Sequence, residues 1–182
     1  MSLTAAYGLL AHALIFGALL AQRPLGLLQP RVGLAATALA LLVGIAPLLH
    51  GWFGPPSPTL LQLALLQLAG RSSPLSLRPA GGLLVCIVGV YGLALVGSAP
   101  FDPYRLGFQP SALLAALLAV GLLLYWRRRY DWLLILAVDL FAYAAGLFVN
   151  LWDALLDPLL GLLALGVVAR HGLQRVNASR HR

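Results

Sequence analysis

The sequence contains very little charge. Only 9% of its 182 residues are charged, five of them acidic and twelve basic, whereas soluble domains carry roughly 25% charged residues. Hydrophobic residues make up 61% of the chain, and its mean hydropathy is +0.92. So few charged groups cannot cover a domain that is surrounded by water, so a soluble fold is excluded. The composition instead indicates a protein embedded in a lipid bilayer.

Lysine and glutamate are absent, and all twelve basic residues are arginine. A retinal protein is excluded, because the retinal Schiff base forms on a lysine. Arginine in place of lysine, together with abundant alanine and leucine, is typical of GC-rich genomes and indicates a bacterial source. The net charge of +7 does not indicate nucleic-acid binding. The arginines lie in short connections between apolar segments, where the positive-inside rule accounts for them.

Cysteine and the common catalytic motifs are also scarce. Cys86 is the only cysteine, which excludes an intramolecular disulfide and a cysteine-rich metal site. The sequence has no P-loop, HExxH, CxxC or GxSxG motif, so the common ATPase, zinc-protease, thiol-redox and serine-hydrolase signatures are missing. The four histidines are too scattered to predict a haem or metal site. We therefore expect no cofactor and no metal.

Long apolar runs without strand-like alternation predict an all-α, polytopic membrane protein that forms a single transmembrane domain over residues 1–182. The predicted segments are 3–21, 32–49 (with Pro47 kinking or ending it), 59–70, 82–98, 111–126, 131–149 and a seventh that ends at Ala169. The third is the weakest, since twelve residues give ~18 Å of helix against a ~30 Å hydrocarbon core. Six spans are the alternative to seven.

The start of the seventh segment has two interpretations. Asn150 is one candidate N-cap, for a helix that begins at Leu151 and is kinked at Pro158. Asp157 is the other, with Pro158 as the first helical residue. We favour the first interpretation, because it leaves a segment long enough to span.

The distribution of arginine predicts the orientation. With seven spans and the N-terminus outside, eleven of the twelve arginines face the cytoplasm and only Arg105 faces out. Six spans leave nine inside and place Arg23, Arg31 and Arg105 outside. The first arrangement follows the positive-inside rule better, so we predict a multi-pass protein of the bacterial inner membrane with its C-terminus inside. Residues 170–182 then form a basic cytoplasmic tail, which attracts anionic lipid headgroups.

This topology gathers polar residues at the outer face. We predict acid–base or cation-binding roles for four of them, and binding roles for five more. The four are His50, Asp102, Asp153 and Asp157, and the five are Trp52, Tyr104, Arg105, Asn150 and Trp152. The alternative is ordinary loop solvation, with aspartates as helix caps and tryptophans as interfacial anchors.

A second polar feature lies in the middle of the predicted bilayer. Asp139 and His12 fall near the centres of their segments, and we predict a buried pair that relays a proton or holds an ion, with Tyr143 on the same seam. The alternative is an interhelical hydrogen bond worth ~0.6–2 kcal/mol in lipid. Asp139 and Tyr143 also begin a polar stripe with steps of four and three residues, typical of one helix face. The stripe continues through Gly146, Asn150, Asp153 and Asp157.

Three functions remain open at this stage. The first is a non-catalytic subunit or accessory factor in envelope assembly or transport, bound to a membrane-protein partner. Its small-residue face of Gly82, Cys86 and Gly89 is suited to close helix packing. The second is an intramembrane enzyme that acts on a lipid or lipid-linked substrate at the outer face. The third is a proton- or ion-coupled carrier that uses the His12–Asp139 pair.

Overall fold

The computed structural model describes residues 2–21, 28–96 and 102–180. This part of the chain is 81% helix and contains no strand, which confirms the prediction of an all-helical protein. The predicted first loop with Arg23, and the last two residues of the tail, lie outside the described residues. The helices are α1 (Leu3–Leu20), α2 (Gln29–Leu42), α3 (Ile45–Phe53), α4 (Pro58–Leu68), α5 (Leu77–Ile87), α6 (Leu93–Val96), α7 (Ser111–Trp126), α8 (Tyr130–Ala144), α9 (Leu151–Leu155) and α10 (Pro158–Arg180). A π-helical turn, Val88–Gly92, joins α5 to α6, and a 3₁₀ turn, Pro103–Gly107, precedes α7.

Some of these helices are long and apolar enough to cross a membrane. Three of them meet the length and hydropathy that a span needs, over Leu3–Leu20, Leu77–Leu95 and Pro158–Asn177. A fourth span is formed if the bent pair Pro30–Leu42 and Ile45–Phe53 counts as one. Helix length by itself therefore supports three to four spans rather than the seven predicted.

The second predicted segment is broken at a different residue from the one expected. The helix ends at Leu42 and resumes at Ile45, with a bend of 75°. Gly44 adopts the left-handed conformation between the two halves, with φ = 84°. Pro47, where we expected the kink, lies in the first turn of α3, a place where proline costs no hydrogen bond. Glycine rather than proline therefore makes the bend.

The sixth segment is shorter than predicted. Helix α8 ends at Ala144 instead of Val149, because Gly146 is left-handed with φ = 76°. The amides of Gly146 and Leu147 donate to the carbonyl oxygens of Tyr143 and Ala142, at 2.9 and 3.2 Å. This is the Schellman arrangement that commonly ends a helix at glycine. Because the helix stops here, the polar stripe is not one helix face.

The structure of residues 150–180 differs from two predictions. Asn150 does cap a helix at Leu151, but that helix ends at Leu155 and a new one begins at Pro158. Leu156 is extended, and the residue before a proline is disfavoured in a helix. A kinked continuous helix from Leu151 was therefore the wrong interpretation. The last helix also continues past Ala169 to Arg180, because no proline follows to stop it.

The first four helices pack closely around small residues. Gly17 of α1 lies against α2, where a Cβ atom would stand 2.5 Å from the Gly33 carbonyl oxygen and would overlap the Thr37 hydroxyl. Leu68 of α4 lies directly against Gly33 from the other side. Helix α4 is short but central, since it packs against α1, α2, α8, α9 and α10. This position makes α4 the element on which the polar side chains of the other helices converge.

Candidate functional site

The start of α4 holds a buried hydrogen-bonded pair, Ser57 and Asp157. Ser57 caps α4, because its hydroxyl oxygen accepts from the Leu60 amide at 3.3 Å. The Ser57 amide and hydroxyl in turn donate to Asp157 Oδ2, at 2.8 and 2.5 Å. Asp157 Oδ1 accepts from the Leu160 amide at 2.8 Å, which caps α10. One carboxylate therefore joins the N-termini of two helices, away from solvent.

Asp139 joins α8 to α4 in the same way. The Thr59 hydroxyl lies 2.5 Å from Asp139 Oδ2, and the Gln62 amide donates to Oδ1 at 3.0 Å. Thr59 Oγ1 also lies 3.1 Å from the Leu155 carbonyl oxygen. Asp139 is only 2% exposed, so these neutral donors take the place of water. Each carboxylate oxygen of Asp139 already has a hydrogen-bond partner.

The predicted pair between His12 and Asp139 is not formed. His12 donates from Nδ1 to the Gly8 carbonyl oxygen at 2.8 Å. Its ring meets the edge of the His50 ring, with centroids 5.9 Å apart. His12 and Asp139 were paired because they lie at similar depths in their predicted segments. Asp139 instead bonds to residues of α4, because α4 packs directly against α8. Tyr143 is half-buried against the apolar core, and its hydroxyl has no hydrogen-bond partner within the described residues.

Asp153 accepts hydrogen bonds from two tyrosines. The Tyr91 hydroxyl donates to Oδ1 at 3.0 Å, and the Tyr104 hydroxyl lies 3.0 Å from Oδ2. The π-helical turn carries Tyr91, whose hydroxyl also lies 3.1 Å from the Leu156 carbonyl oxygen. Burial, and then the charge of Asp153, raise the pKa of Tyr104 to about 12. The Tyr104 hydroxyl therefore keeps its proton, and remains a donor, throughout the neutral range.

The 3₁₀ turn docks on α9 through several of the predicted outer-face residues. Asp102 accepts from the Tyr104 amide at 3.0 Å and so caps the turn. Asn150 donates to the Tyr104 carbonyl oxygen at 3.2 Å, and the Trp152 indole donates to the Pro103 carbonyl oxygen at 2.9 Å. With Asp153, these residues form one cluster. Much of it consists of helix caps and loop contacts, the alternative that the sequence left open.

The remaining predicted outer-face residues lie apart from this cluster. His50 faces His12 and Gly8, and Trp52, at the end of α3, is 80% exposed. Arg105 is exposed, and its side chain forms no hydrogen bond or ion pair with a described residue. No contact therefore joins His50 and Arg105 into one site in this structure.

A cleft of about 370 Å³ opens beside Asp153 and Asp157. Asp153 and Asp157 contribute its carboxylates, Tyr91 one aromatic wall, and no arginine or histidine lines it. The other lining residues are Thr4, Phe53, Pro55, Leu147, Phe148, Val149, Leu156 and Pro158. Both carboxylates already accept hydrogen bonds from the protein, and the rest of the lining is largely apolar.

Within the described residues, no group of three or more histidine, cysteine or acidic side chains is placed to hold a metal ion. Three buried nitrogens there lack a hydrogen-bond partner, namely His12 Nε2, His50 Nδ1 and Trp132 Nε1.

The sequence did not indicate which groups at α4 donate hydrogen bonds to the carboxylates. These donors are Ser57, Thr59 and Gln62. Beside them, the Tyr7 hydroxyl donates to the Pro56 carbonyl oxygen at 2.9 Å. A Ser-Pro pair before an apolar run is a recognisable N-cap signature, and Gln62 is a polar residue within that run. These two signals identify α4 as a polar element, but they do not name its partners.

No protein-family model, curated protein or solved structure matches this chain. Its function is accordingly inferred from its own residues and their geometry.

Proposed function

We propose that this chain is a seven-span protein of the bacterial inner membrane, with its N-terminus outside. It acts as a non-catalytic subunit or accessory factor in envelope assembly or transport. The observation that carries this proposal is the small share of two membrane-spanning windows that is buried within the chain. Only 11% of the Leu77–Leu95 window and 17% of the Pro158–Asn177 window is buried within the chain, against 39% for Leu3–Leu20. Surface of that kind is available to a partner.

The small-residue face of α5 supports a protein partner over lipid alone. Built Cβ atoms at Gly82 and Gly89 meet nothing within 4 Å, and Cys86 between them is exposed. Small residues at this spacing let the backbones of two membrane helices approach closely. No helix of the described chain fills this face, so a helix of another subunit is the occupant that we propose.

The seven-span topology has separate support from the ends of the helices. The cleft gathers the start of α1, the end of α3, the π-helical turn, the loop after α8 and the start of α10. In a bundle of alternating spans that begins outside, these are the ends that share the outer side. Helices α4, α7 and α8 are short for the bilayer, and local thinning of the bilayer is a usual adjustment.

The hydrogen bonds of three aspartates support a structural role. Both oxygens of Asp139, Asp153 and Asp157 already accept hydrogen bonds from hydroxyl, amide or backbone groups. Such bonds hold the helices in position, and each is worth ~0.6–1.7 kcal/mol in membrane proteins. The aspartates need no catalytic duty to account for their presence.

The test is to isolate the tagged protein in a mild detergent and to identify what accompanies it by mass spectrometry. We expect a stoichiometric membrane partner, which Gly82→Leu combined with Gly89→Leu displaces. Gly51→Leu is the matched control, since that glycine also meets nothing within 4 Å but lies on α3, outside the two uncovered windows. Wild-type protein that is recovered alone and monodisperse would overturn the proposal.

One observation favours a second candidate, an intramembrane enzyme that acts on a lipid or lipid-linked substrate at the outer face. The cleft beside Asp153 and Asp157 is large enough for part of a small ligand. On this hypothesis Asp153 acts as the acid–base group, and Asp153→Asn abolishes activity while partner binding is retained. The carrier hypothesis has lost its geometric basis, because His12 and Asp139 do not pair.

A further inference from the structure

Two histidines meet between α1 and α3. The His12 ring is fully buried, and the His50 ring lies edge-to-face with it at a centroid distance of 5.9 Å. The His50 ring occupies the space above Gly8, where a Cβ atom would overlap its Cε1 and Nδ1 atoms. A side chain larger than glycine at position 8 would therefore keep the two rings apart.

The hydrogen bonds of His12 determine which of its nitrogens can take a proton. Its Nδ1 lies 2.8 Å from the Gly8 carbonyl oxygen, which can only accept, so Nδ1 carries the hydrogen. In the neutral ring, Nε2 is then a bare lone pair, and within the described residues it has no donor. His50 Nδ1 is buried and without a partner as well. A buried lone pair without a donor is costly. Binding a proton converts this lone pair into an N–H group.

The charges around this pair allow at most one bound proton. Among the described residues, Asp157 and His50 are the titratable groups whose charges act on His12. Burial makes any charge on the ring costly, and a proton on one ring disfavours a second proton on the other. Tyr7, the residue before Gly8 on α1, donates its hydroxyl to the Pro56 carbonyl oxygen. A metal ion is less suited, because the described residues offer no third ligand.

The position of α3 relative to α1 can change when a proton binds. It is separated from α2 by the 75° bend at Gly44, which has no neighbour within 4 Å of its built Cβ atom. Apart from the histidine contact, α3 packs through a small cluster of Ala13, Ala40 and Ala46, with Phe16 and Ile45 partly buried against it. Alanine side chains bury little apolar area, so the histidine contact contributes to the position of α3.

We propose that His12 and His50 form a buried site for a single proton, and that proton binding changes how α3 packs on α1. The site lies apart from the small-residue face of α5 and does not depend on the subunit role. It replaces the His12–Asp139 pair as the proton-binding group of the bundle.

The test uses the full chain in lipid nanodiscs. A nitroxide label is attached at position 52 by Trp52→Cys in a Cys86→Ala background, because Trp52 is exposed at the end of α3. Label mobility is measured across about pH 5 to 8, the range in which histidine titrates. We expect one transition that fits uptake of one proton. His12→Gln and His50→Gln abolish it, whereas His171→Gln, in the exposed part of α10, leaves it unchanged.

A second measurement keeps the proposal falsifiable if His12→Gln fails to fold. The ¹⁵N signals of the histidine rings are followed over the same pH range in the unsubstituted chain. We expect the ring signals of His12 and His50 to change together in a single step. Mobility that is independent of pH, a transition that persists in His50→Gln, or two independent single-histidine titrations would overturn the proposal.

Discussion

The glycines of the first helices and those of the later helices differ in whether a neighbouring helix packs against them. In α1 and α2, glycines are covered, since Gly17 lies against Gly33 and Thr37, and Gly8 lies under His50. In α5 and the π-helical turn that follows it, Gly81, Gly82 and Gly89 have nothing within 4 Å of a built Cβ atom. The same residue type therefore marks a finished interface in one region and an open one in the other. Composition cannot separate the two, because glycine permits close approach whether or not a neighbour is present.

The largest expected effect lies where the two regions meet. Asp157→Ala leaves the Leu160 and Ser57 amides without their acceptor. Loss of an N-cap costs about 1 kcal/mol, and each buried unpaired group costs ~1–3 kcal/mol more. We expect a loss of about 3 kcal/mol or more in unfolding free energy, measured by denaturation in detergent. Asp131→Ala is the control, since that residue is exposed in the first turn of α8. Equal stability of the two variants would contradict the assigned role.

The glycine comparison itself is tested by a matched pair of substitutions. In Gly17→Ala, the new methyl group overlaps the Thr37 hydroxyl and approaches the Gly33 carbonyl oxygen to 2.5 Å. Overpacking of this kind costs ~1–3 kcal/mol. Gly82→Ala adds the same group in open space, where alanine gains up to ~1 kcal/mol of helix propensity. We expect opposite shifts in the thermal unfolding midpoint. A destabilised Gly82→Ala monomer would show that this face is already packed within the chain.

A smaller effect is expected at the contact between α4 and α8. Thr59→Val keeps the shape of the side chain but removes the donor to Asp139. The loss is ~0.6–1.7 kcal/mol if it follows other membrane hydrogen bonds. Thr37→Val is the control, because its hydroxyl bonds only within its own helix, to the Gly33 carbonyl oxygen. A Thr59→Val protein as stable as the control would mean that Asp139 is held by Gln62 alone.

The smallest effect concerns pH at the 3₁₀ turn. The pKa of Tyr104 is raised from 10.0 to about 12 by burial and by Asp153. Its contribution to stability is fully present below pH 10 and is lost as the pH rises through about 12. We expect a tyrosinate absorbance step near pH 12 that is missing in Tyr104→Phe. Tyr125→Phe, an exposed tyrosine on α7, leaves that step in place. Titration of Tyr104 near pH 10 would contradict its contact with Asp153.

Several elements were predictable because their signals are local. Helix α7 begins and ends at the predicted residues, Ser111 and Trp126, since a proline and three arginines flank an unbroken apolar run. Asn150 and Asp157 were both recognised as N-caps, and both act as caps. The choice between them was the error, because a five-residue helix followed by an extended leucine has no signal of its own in the sequence.

The partners of the polar residues were not predictable in the same way. Asp139 was paired with His12 because both lie at similar depth, but depth does not say which helices are neighbours. Helix α4, the weakest predicted segment, lies between the other helices and supplies Ser57, Thr59 and Gln62 to the carboxylates. A short helix with few residues carries little periodicity, so its central position cannot be read from the chain.

The sequence by itself determined that this is an apolar, all-helical chain whose longest helices suit a bilayer, because hydropathy and helix propensity act residue by residue. It also determined which polar residues are too costly to leave alone in a low-dielectric interior. Only the tertiary structure decided which groups lie beside them. Helix packing placed Ser57 beside Asp157, Thr59 beside Asp139 and His50 beside His12. This outcome depends on which helix faces meet, and a hydrogen bond acts only over the few ångströms that packing provides.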